Sequence, residues 1–275
     1  MTLMELTAVS ALHFSVTELT RILERCFQDY FVPFSLTPEA FALRFAAEGM
    51  SMEDSCVWLQ DGEPVAIAII ARRDTLARLA AFAIVPPLRG KGLARTMLAP
   101  LFATLKTKDV ARFYLEVIAE NHAGIALYRS LGFRDSQALY GFKAITMERA
   151  PGAELHTTTL DALYRTLFSA PRETTPWQLD PLALHSLPCK VLTTGGAWAA
   201  ITTHGPAPQL RYLFVEPASR HKGEALRLLQ TLSEQYPAIS TPVAVPERFA
   251  RLFLAAGYAQ MDISQREMVC DHAGE

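Results

Sequence analysis

Two stretches of this 275-residue chain superimpose without a gap. Ile84-Val-Pro-Pro-Leu-Arg-Gly-Lys-Gly-Leu-Ala94 lies over Val215-Glu-Pro-Ala-Ser-Arg-His-Lys-Gly-Glu-Ala225, and the two arginines are 220 − 89 = 131 positions apart. Leu127-Tyr-Arg-Ser-Leu-Gly-Phe133 lies in the same way over Leu252-Phe-Leu-Ala-Ala-Gly-Tyr258. A recurrence of this length in a chain too long for one ordinary domain implies two copies of one fold.

The order of elements repeats as well. Ser15-Val16-Thr17-Glu18 has the spacing of a capping box, and Ile22, Leu23, Cys26 and Phe27 follow at helical intervals, which predicts a helix ending near Tyr30. Thr37-Pro38-Glu39 opens a second helix with a capping hydroxyl before an N1 proline. Ser55–Leu59, the Asp61-Gly62 turn and Pro64–Ala71 form a hairpin, and a third strand, Leu76–Val85, runs into Pro86-Pro87. A helix begins near Leu93, where Pro100 should kink or shorten it. The strand Phe113–Ile118, a helix after Asn121 closing at Gly132, and a strand Ala138–Glu148 complete the first half. The second half gives a helix Leu160–Phe168, strands at Lys190–Thr193, Ala197–Thr203 and Leu210–Val215, a helix Glu224–Tyr236, a strand Val243–Val245 and a helix from Glu247 to Gly257. Ala150-Pro151-Gly152-Ala153 is the natural linker, so the expected domains are 1–149 and 150–275.

Bulk properties limit the partners. A net charge of −2 supplies no global field for nucleic acid or anionic lipid. The N-terminus has neither a basic region nor an unbroken apolar segment, and no apolar run is long enough to span a bilayer. Cys26, Cys56, Cys189 and Cys270 are scattered, without Cys-x-x-Cys or zinc-ligand spacing, and are expected to be reduced. These features together predict a cytoplasmic protein with no metal, no nucleic-acid partner and no membrane association.

The stretch Arg89–Ala94 carries the clearest chemistry. A strand ending in a glycine-rich turn that opens a helix gathers free N–H groups and the positive end of the helix dipole. Gly90 and Gly92 let an anion approach the backbone, and Arg89, Lys91 and Arg95 add positive charge. Gly-x-x-x-x-Gly-Lys-Ser/Thr is absent, and Arg95 stands where Gly-x-Gly-x-x-Gly needs its third glycine, which removes the main support for an ATPase or a dinucleotide-binding enzyme.

Arg89-x-x-Gly92-x-Ala94 after a strand ending Ile-Val-Pro resembles the hallmark of the GNAT superfamily of acetyl-CoA-dependent N-acetyltransferases, namely Arg or Gln, x, x, Gly, x, Gly or Ala. Leu115-Glu116-Val117 and the block from Asn121 through Tyr128 to Gly132-Phe133 look like that family's late strand and following helix. The resemblance is clear from about Cys56 to Phe133. It implies an α/β (α+β) fold with two tandem GNAT-like domains, each a mixed, mostly antiparallel sheet flanked by helices.

The resemblance also implies transfer of an acetyl group from acetyl-CoA to the primary amine of a small molecule or peptide. Arg89, Gly90, Lys91, Gly92, Leu93 and Ala94 would hold the diphosphate. The backbone of Ala83, Ile84 and Val85 would hold the pantetheine amides as an added strand does. Asn121 would serve as helix cap alone, or as a cap that also contacts the pantetheine arm or Tyr128. An amine with a pKa near about 10.4 must lose a proton before it attacks, so a base is required. Glu116 is the candidate, with Glu120, His122 and Asp29 as rivals; its alternative role is that of a strand glutamate paired with a basic neighbour. Tyr128 is the candidate acid for the departing thiolate. In the second copy Phe253 replaces Tyr128, Pro246 replaces Asn121, His221 replaces Gly90, and Glu224 adds negative charge, so that copy is expected to be degenerate. A catalytically silent CoA-binding or protein-interaction module is the alternative reading. The acceptor, the acyl length and any homo-oligomer are left open.

Overall fold

The computed structural model describes residues 6–145, 153–171, 173–205 and 207–271. A strand β1 (Thr7–Ser10), not among the expected elements, precedes α1 (Val16–Cys26). The Ser15 hydroxyl accepts from the Glu18 amide at 3.2 Å while the Glu18 carboxylate accepts from the Ser15 amide at 2.7 Å, completing the capping box. The helix stops short of Tyr30, because Asp29 takes a left-handed φ of 56° that an α-helix cannot absorb. α2 (Pro38–Glu48) is capped by Thr37 and closed by Gly49 at φ 79°. β2 (Met50–Gln60) and β3 (Glu63–Arg73) form the expected hairpin, with Asp61 and Gly62 both at positive φ. β4 (Leu76–Ile84), a 3₁₀ turn at Pro86–Leu88 and α3 (Leu93–Lys106) follow. Pro100 does not break α3, which runs 14 residues through it, with the proline on an exposed face.

β5 (Arg112–Ile118), α4 (His122–Ser130) and β6 (Arg134–Ala144) come next. The boundary expected at 149/150 lies outside the described residues. β7 (His156–Thr158), α5 (Leu160–Phe168), β8 (Cys189–Thr194), β9 (Ala197–Thr202), β10 (Gln209–Val215) and α6 (Glu224–Gln235) then lead to a two-residue strand β11 (Val245–Pro246) and to α7 (Ala250–Ala255). The last strand, β12 (Tyr258–Asp271), was not legible in the sequence, because the polar run Ser264–Glu267 interrupts period-two alternation.

The chain forms two compact units, one of Met1–Ser136 with Arg266–Glu275 and one of Gln137–Gln265. In the first unit the strand order is β1-β2-β3-β4-β5-β12, antiparallel from β1 to β4 and parallel between β4 and β5. Its core packs Leu19 and Leu23 of α1, Phe41 and Phe45 of α2 and Leu98 and Phe102 of α3 with Ile67 and Leu115 of the sheet. In the second unit β7 to β10 form an antiparallel four-stranded sheet, and β11 pairs antiparallel with β6. No helix among the described residues is long and apolar enough to cross a membrane.

Candidate active site

In the first unit β4 pairs with β5 only at its beginning, from Leu76↔Arg112 to Leu79↔Leu115. Beyond that point both strands continue, to Ile84 and Ile118, without pairing. The reason is local. Ile69 faces Ala81 and Ile70 faces Leu79, so Ala80 is an extra, bulged residue that bends β4. The strands therefore open into a wedge that leaves one edge of Ala83, Ile84 and Val85 free, although their side chains are buried. A free strand edge of this kind accepts an extended amide-bearing ligand.

The wedge points to the start of α3. Gly92 occupies the N-cap position at φ 77°, and no side chain caps the helix. Gly90 also has a left-handed φ, 73°, and a Cβ on either glycine would meet nothing within 4 Å. Glycine is thus required here by backbone conformation, while the space in front of the amides stays open. Of the three basic side chains, two are committed elsewhere. Arg89 donates from Nε to the Ile84 carbonyl (2.9 Å) and from Nη2 to the carbonyls of Cys26 (2.9 Å) and Gln28, so it braces the end of α1. Arg95 donates to the Ser130 carbonyl at 2.7 Å. Lys91 is exposed.

Tyr128 is buried on α4, its ring edge-on to Phe133 with centroids 6.1 Å apart. Burial, with a smaller contribution from Tyr30, pushes the phenol well above its ordinary pKa. Asn121 is the cap expected from the sequence, and its amide reaches Tyr30. Its Oδ1 accepts from the Gly124 amide at 2.9 Å as the cap of α4, and its Nδ2 donates to the Tyr30 hydroxyl at 3.4 Å. Tyr30, in the loop after α1, packs edge-on against Phe27 and Phe31. Its own pKa is raised by burial, against the opposing effect of the Asn121 bond.

Glu116 has a basic neighbour. Its Oε2 accepts from Arg78 Nε (2.7 Å) and Nη2 (2.6 Å), while Arg78 Nη1 donates to Glu48 Oε2 at 2.5 Å; all three side chains are at most 5% exposed. The two carboxylates titrate in opposite directions. Burial raises both, but Glu48 has Arg78 and Arg44 and falls below the usual range, whereas Glu116 shares Arg78 with Glu48, lies near Glu267, and is raised. Glu116 Oε1 is buried and has no hydrogen-bond partner among the described residues. Sequence reading missed Arg78 and Glu48. A clue to the first was an arginine inside the apolar run Leu76–Val85, since a charge there must be buried with a partner.

Residues 16–133 match the family model described as acetyltransferase (GNAT) family. The match covers the elements from α1 to the turn after α4 that build this site. The [ribosomal protein bS18]-alanine N-acetyltransferase of Escherichia coli (strain K12) is 40% identical over 77 residues, which are 28% of this chain and 52% of that protein. The chain thus spans about half the length of the curated relatives it matches. A GCN5-related N-acetyltransferase from Sphaerobacter thermophilus superposes with a TM-score of 0.69 at 15% identity, over 98% of this chain and 97% of that one. A tandem GNAT protein from the clavulanic acid biosynthesis pathway superposes with a TM-score of 0.65 at 14% identity, over 98% and 99% of the two chains. At these identities the structures establish the fold, a mixed α/β GNAT architecture along nearly the whole chain.

The second unit keeps the GNAT backbone at the repeat offset. Leu210 faces Ile201 and Tyr212 faces Ala200, so Arg211 is bulged as Ala80 is, 211 − 80 = 131 positions earlier. β10 also meets a parallel neighbour only at its start, where Gln209 bridges to Ser240. Gly223 caps α6 at φ 79°, His221 adopts φ 60° in the place of Gly90, and Arg220 donates from Nε to the Val215 carbonyl as Arg89 does to Ile84. The side chains at the helix start are different. Glu224 lies in the first turn of α6, held by Arg227 at 2.5 Å and packed so closely on Gly195 that a Cβ there would stand 2.4 Å from its Oε2. The large cleft of this unit, about 610 Å³, lies along β10 and is lined by Phe253, the residue at the position matching Tyr128.

Proposed function

We propose that the first unit transfers an acetyl group from acetyl-CoA to a primary amine, with Tyr128 as general acid and Glu116 as general base. The observation that carries this reading is the wedge between β4 and β5, which opens beside an uncapped α3 whose turn glycines leave room for an anion. The residues present fit acetyl-CoA. Amides of the Gly90–Ala94 turn, with Lys91 beside them, would hold the diphosphate, and the free edge at Ala83–Val85 would hold the pantetheine amides. Arg89 contributes mainly by bracing this turn, since its Nε and Nη2 donors are taken by carbonyls.

Acetyl-CoA, when bound, supplies a thioester whose carbonyl an amine can attack and whose thiolate then leaves. Tyr128 is protonated at neutral pH, as any phenol is and the more so when burial raises it, and its hydroxyl donates that proton to the departing sulfur. A raised phenol is a weaker acid, but the same low-polarity surroundings raise the thiol it serves. Glu116 Oε1, the oxygen that Arg78 does not hold, takes the proton from the incoming ammonium directly or through water. A raised carboxylate is a better base for this step than an ordinary one.

The Escherichia coli relative named above is an alanine N-acetyltransferase of a ribosomal protein, which makes a protein α-amine the first acceptor class to test. The experiment is thiol release from acetyl-CoA with peptide N-termini and with a panel of small amines. Turnover that Tyr128→Phe removes while CoA still binds supports the assignment. CoA binding without turnover of any amine overturns it in favour of a silent CoA-binding module.

A further inference from the structure

The second unit contains an opening of about 610 Å³ that the chemistry of the first unit does not use. Its volume falls in the range of small-molecule sites, about 300 to 1,000 Å³. Its walls are mainly apolar, with Leu210 and Phe214 from β10 and Leu252 and Phe253 from α7. An unfilled apolar cleft of this size lacks dispersion contacts and offers water few partners, so an apolar group would gain by entering it.

The polar groups around this cleft differ from those of a CoA cradle. Glu224 puts a carboxylate in the first turn of α6, where it pairs with Arg227 and packs on Gly195, and His221 stands in the place of the first unit's Gly90. Pro246 and Phe253 remove the amide and the hydroxyl that the first unit has at the matching positions. One cation on the wall has no acidic partner among the described residues. Arg248 makes only long bonds to neutral groups, to Gln137 Oε1 at 3.3 Å and to the Thr174 carbonyl at 3.5 Å, with its guanidinium 4.8 Å from the centroid of Phe249. The other cations are engaged: Arg220 pairs with Glu173 at 2.9 Å, and Arg211 donates to Gln209 at 2.6 Å.

We infer that this cleft binds an amphipathic carboxylate, with its apolar chain among Leu210, Phe214, Leu252 and Phe253 and its anionic head on Arg248. A guanidinium with no acid beside it among the described residues is matched by one carboxylate, and an apolar cleft whose helix start already carries a carboxylate selects a hydrocarbon tail over a nucleotide carrier. The site is independent of acetyl transfer by the first unit.

Isothermal titration of the full chain with decanoate, decanol and CoA tests this. Decanoate binds at one site, and decanol binds at least about tenfold more weakly for want of a charged head. Arg248→Gln, at an exposed position, weakens decanoate by about tenfold, and Leu252→Trp abolishes binding by filling the cleft. Should the tryptophan variant fail to fold, the comparison of decanoate with decanol and the Arg248→Gln affinity decide the matter. The inference is overturned by absence of decanoate binding, by equal affinity for decanol, by unchanged affinity in Arg248→Gln, or by CoA displacing decanoate.

Discussion

Ala80 and Arg211 stand 131 positions apart and are each the bulged residue of a strand that meets its parallel neighbour only at the start. After each strand come a 3₁₀ turn, an arginine bonded back to the strand's end and a left-handed glycine that opens a helix. The backbone that makes a GNAT cradle is thus present in both units. What differs is what the side chains do in front of it. In the first unit nothing stands before the helix amides and a tyrosine lies on α4; in the second a glutamate lies in the first turn and a phenylalanine lines the cleft. Geometry alone therefore does not define the site. A cradle binds an anion when its field is left unopposed, and a few substitutions suffice to redirect it.

The largest expected effect concerns Arg78, whose counterpart in β10 at the same offset is the uncharged Gln209. Arg78→Met leaves Glu48 and Glu116 buried against each other without their shared cation and should lower stability by about 3 to 5 kcal/mol in urea denaturation. Gln209→Met, which loses one neutral acceptor, should cost about 1 kcal/mol or less. Equal losses would show that the buried triad is no special feature of the first unit.

Next comes the phenol. Tyr128→Phe should reduce kcat by about 10²- to 10³-fold with little change in stability or CoA affinity, as expected for loss of a general acid. The converse change, Phe253→Tyr, should confer no turnover on the second unit, because Pro246 and Glu224 remain. Steady-state kinetics on both variants, with CoA titration, checks this pair.

The cradle itself can be exchanged. Leu93→Glu gives the first helix the acidic residue that Glu224 gives the second, and should weaken CoA binding by about tenfold. Glu224→Leu removes that carboxylate from the second helix start, and should create a second, weak CoA site detectable by titration.

The smallest effect is a displacement in pH. Because the Glu116 carboxyl is raised, mainly by burial, a larger share of it is protonated on the acid side of neutrality than for an ordinary glutamate. A base works only when deprotonated, so the acid limb of the kcat/KM profile should lie above the ordinary carboxylate range, with activity rising as pH increases through it. Glu116→Gln should remove that limb along with most of the activity. An acid limb that survives this substitution would assign the base elsewhere.

The chain's sequence by itself determined the duplication, the glycine turns and the cap residues. Each of these is a local matter: Ser15 with Glu18, Asp61-Gly62, and Gly92 are dictated by backbone dihedrals and hydrogen bonds within a few positions. It also showed Asn121 as a cap and the loss of Tyr128 and Asn121 from the second copy. Tertiary structure decided the rest. That Arg89 faces carbonyls of α1, that Arg78 lies between Glu48 and Glu116, and that Tyr30 reaches Asn121 are contacts across 30 to 91 positions, which no periodicity encodes. The same holds for β12, whose polar stretch becomes strand because neighbouring strands supply its hydrogen bonds, and for the open cleft beside β10, since an empty volume is a property of packed surfaces and leaves no mark in the order of residues.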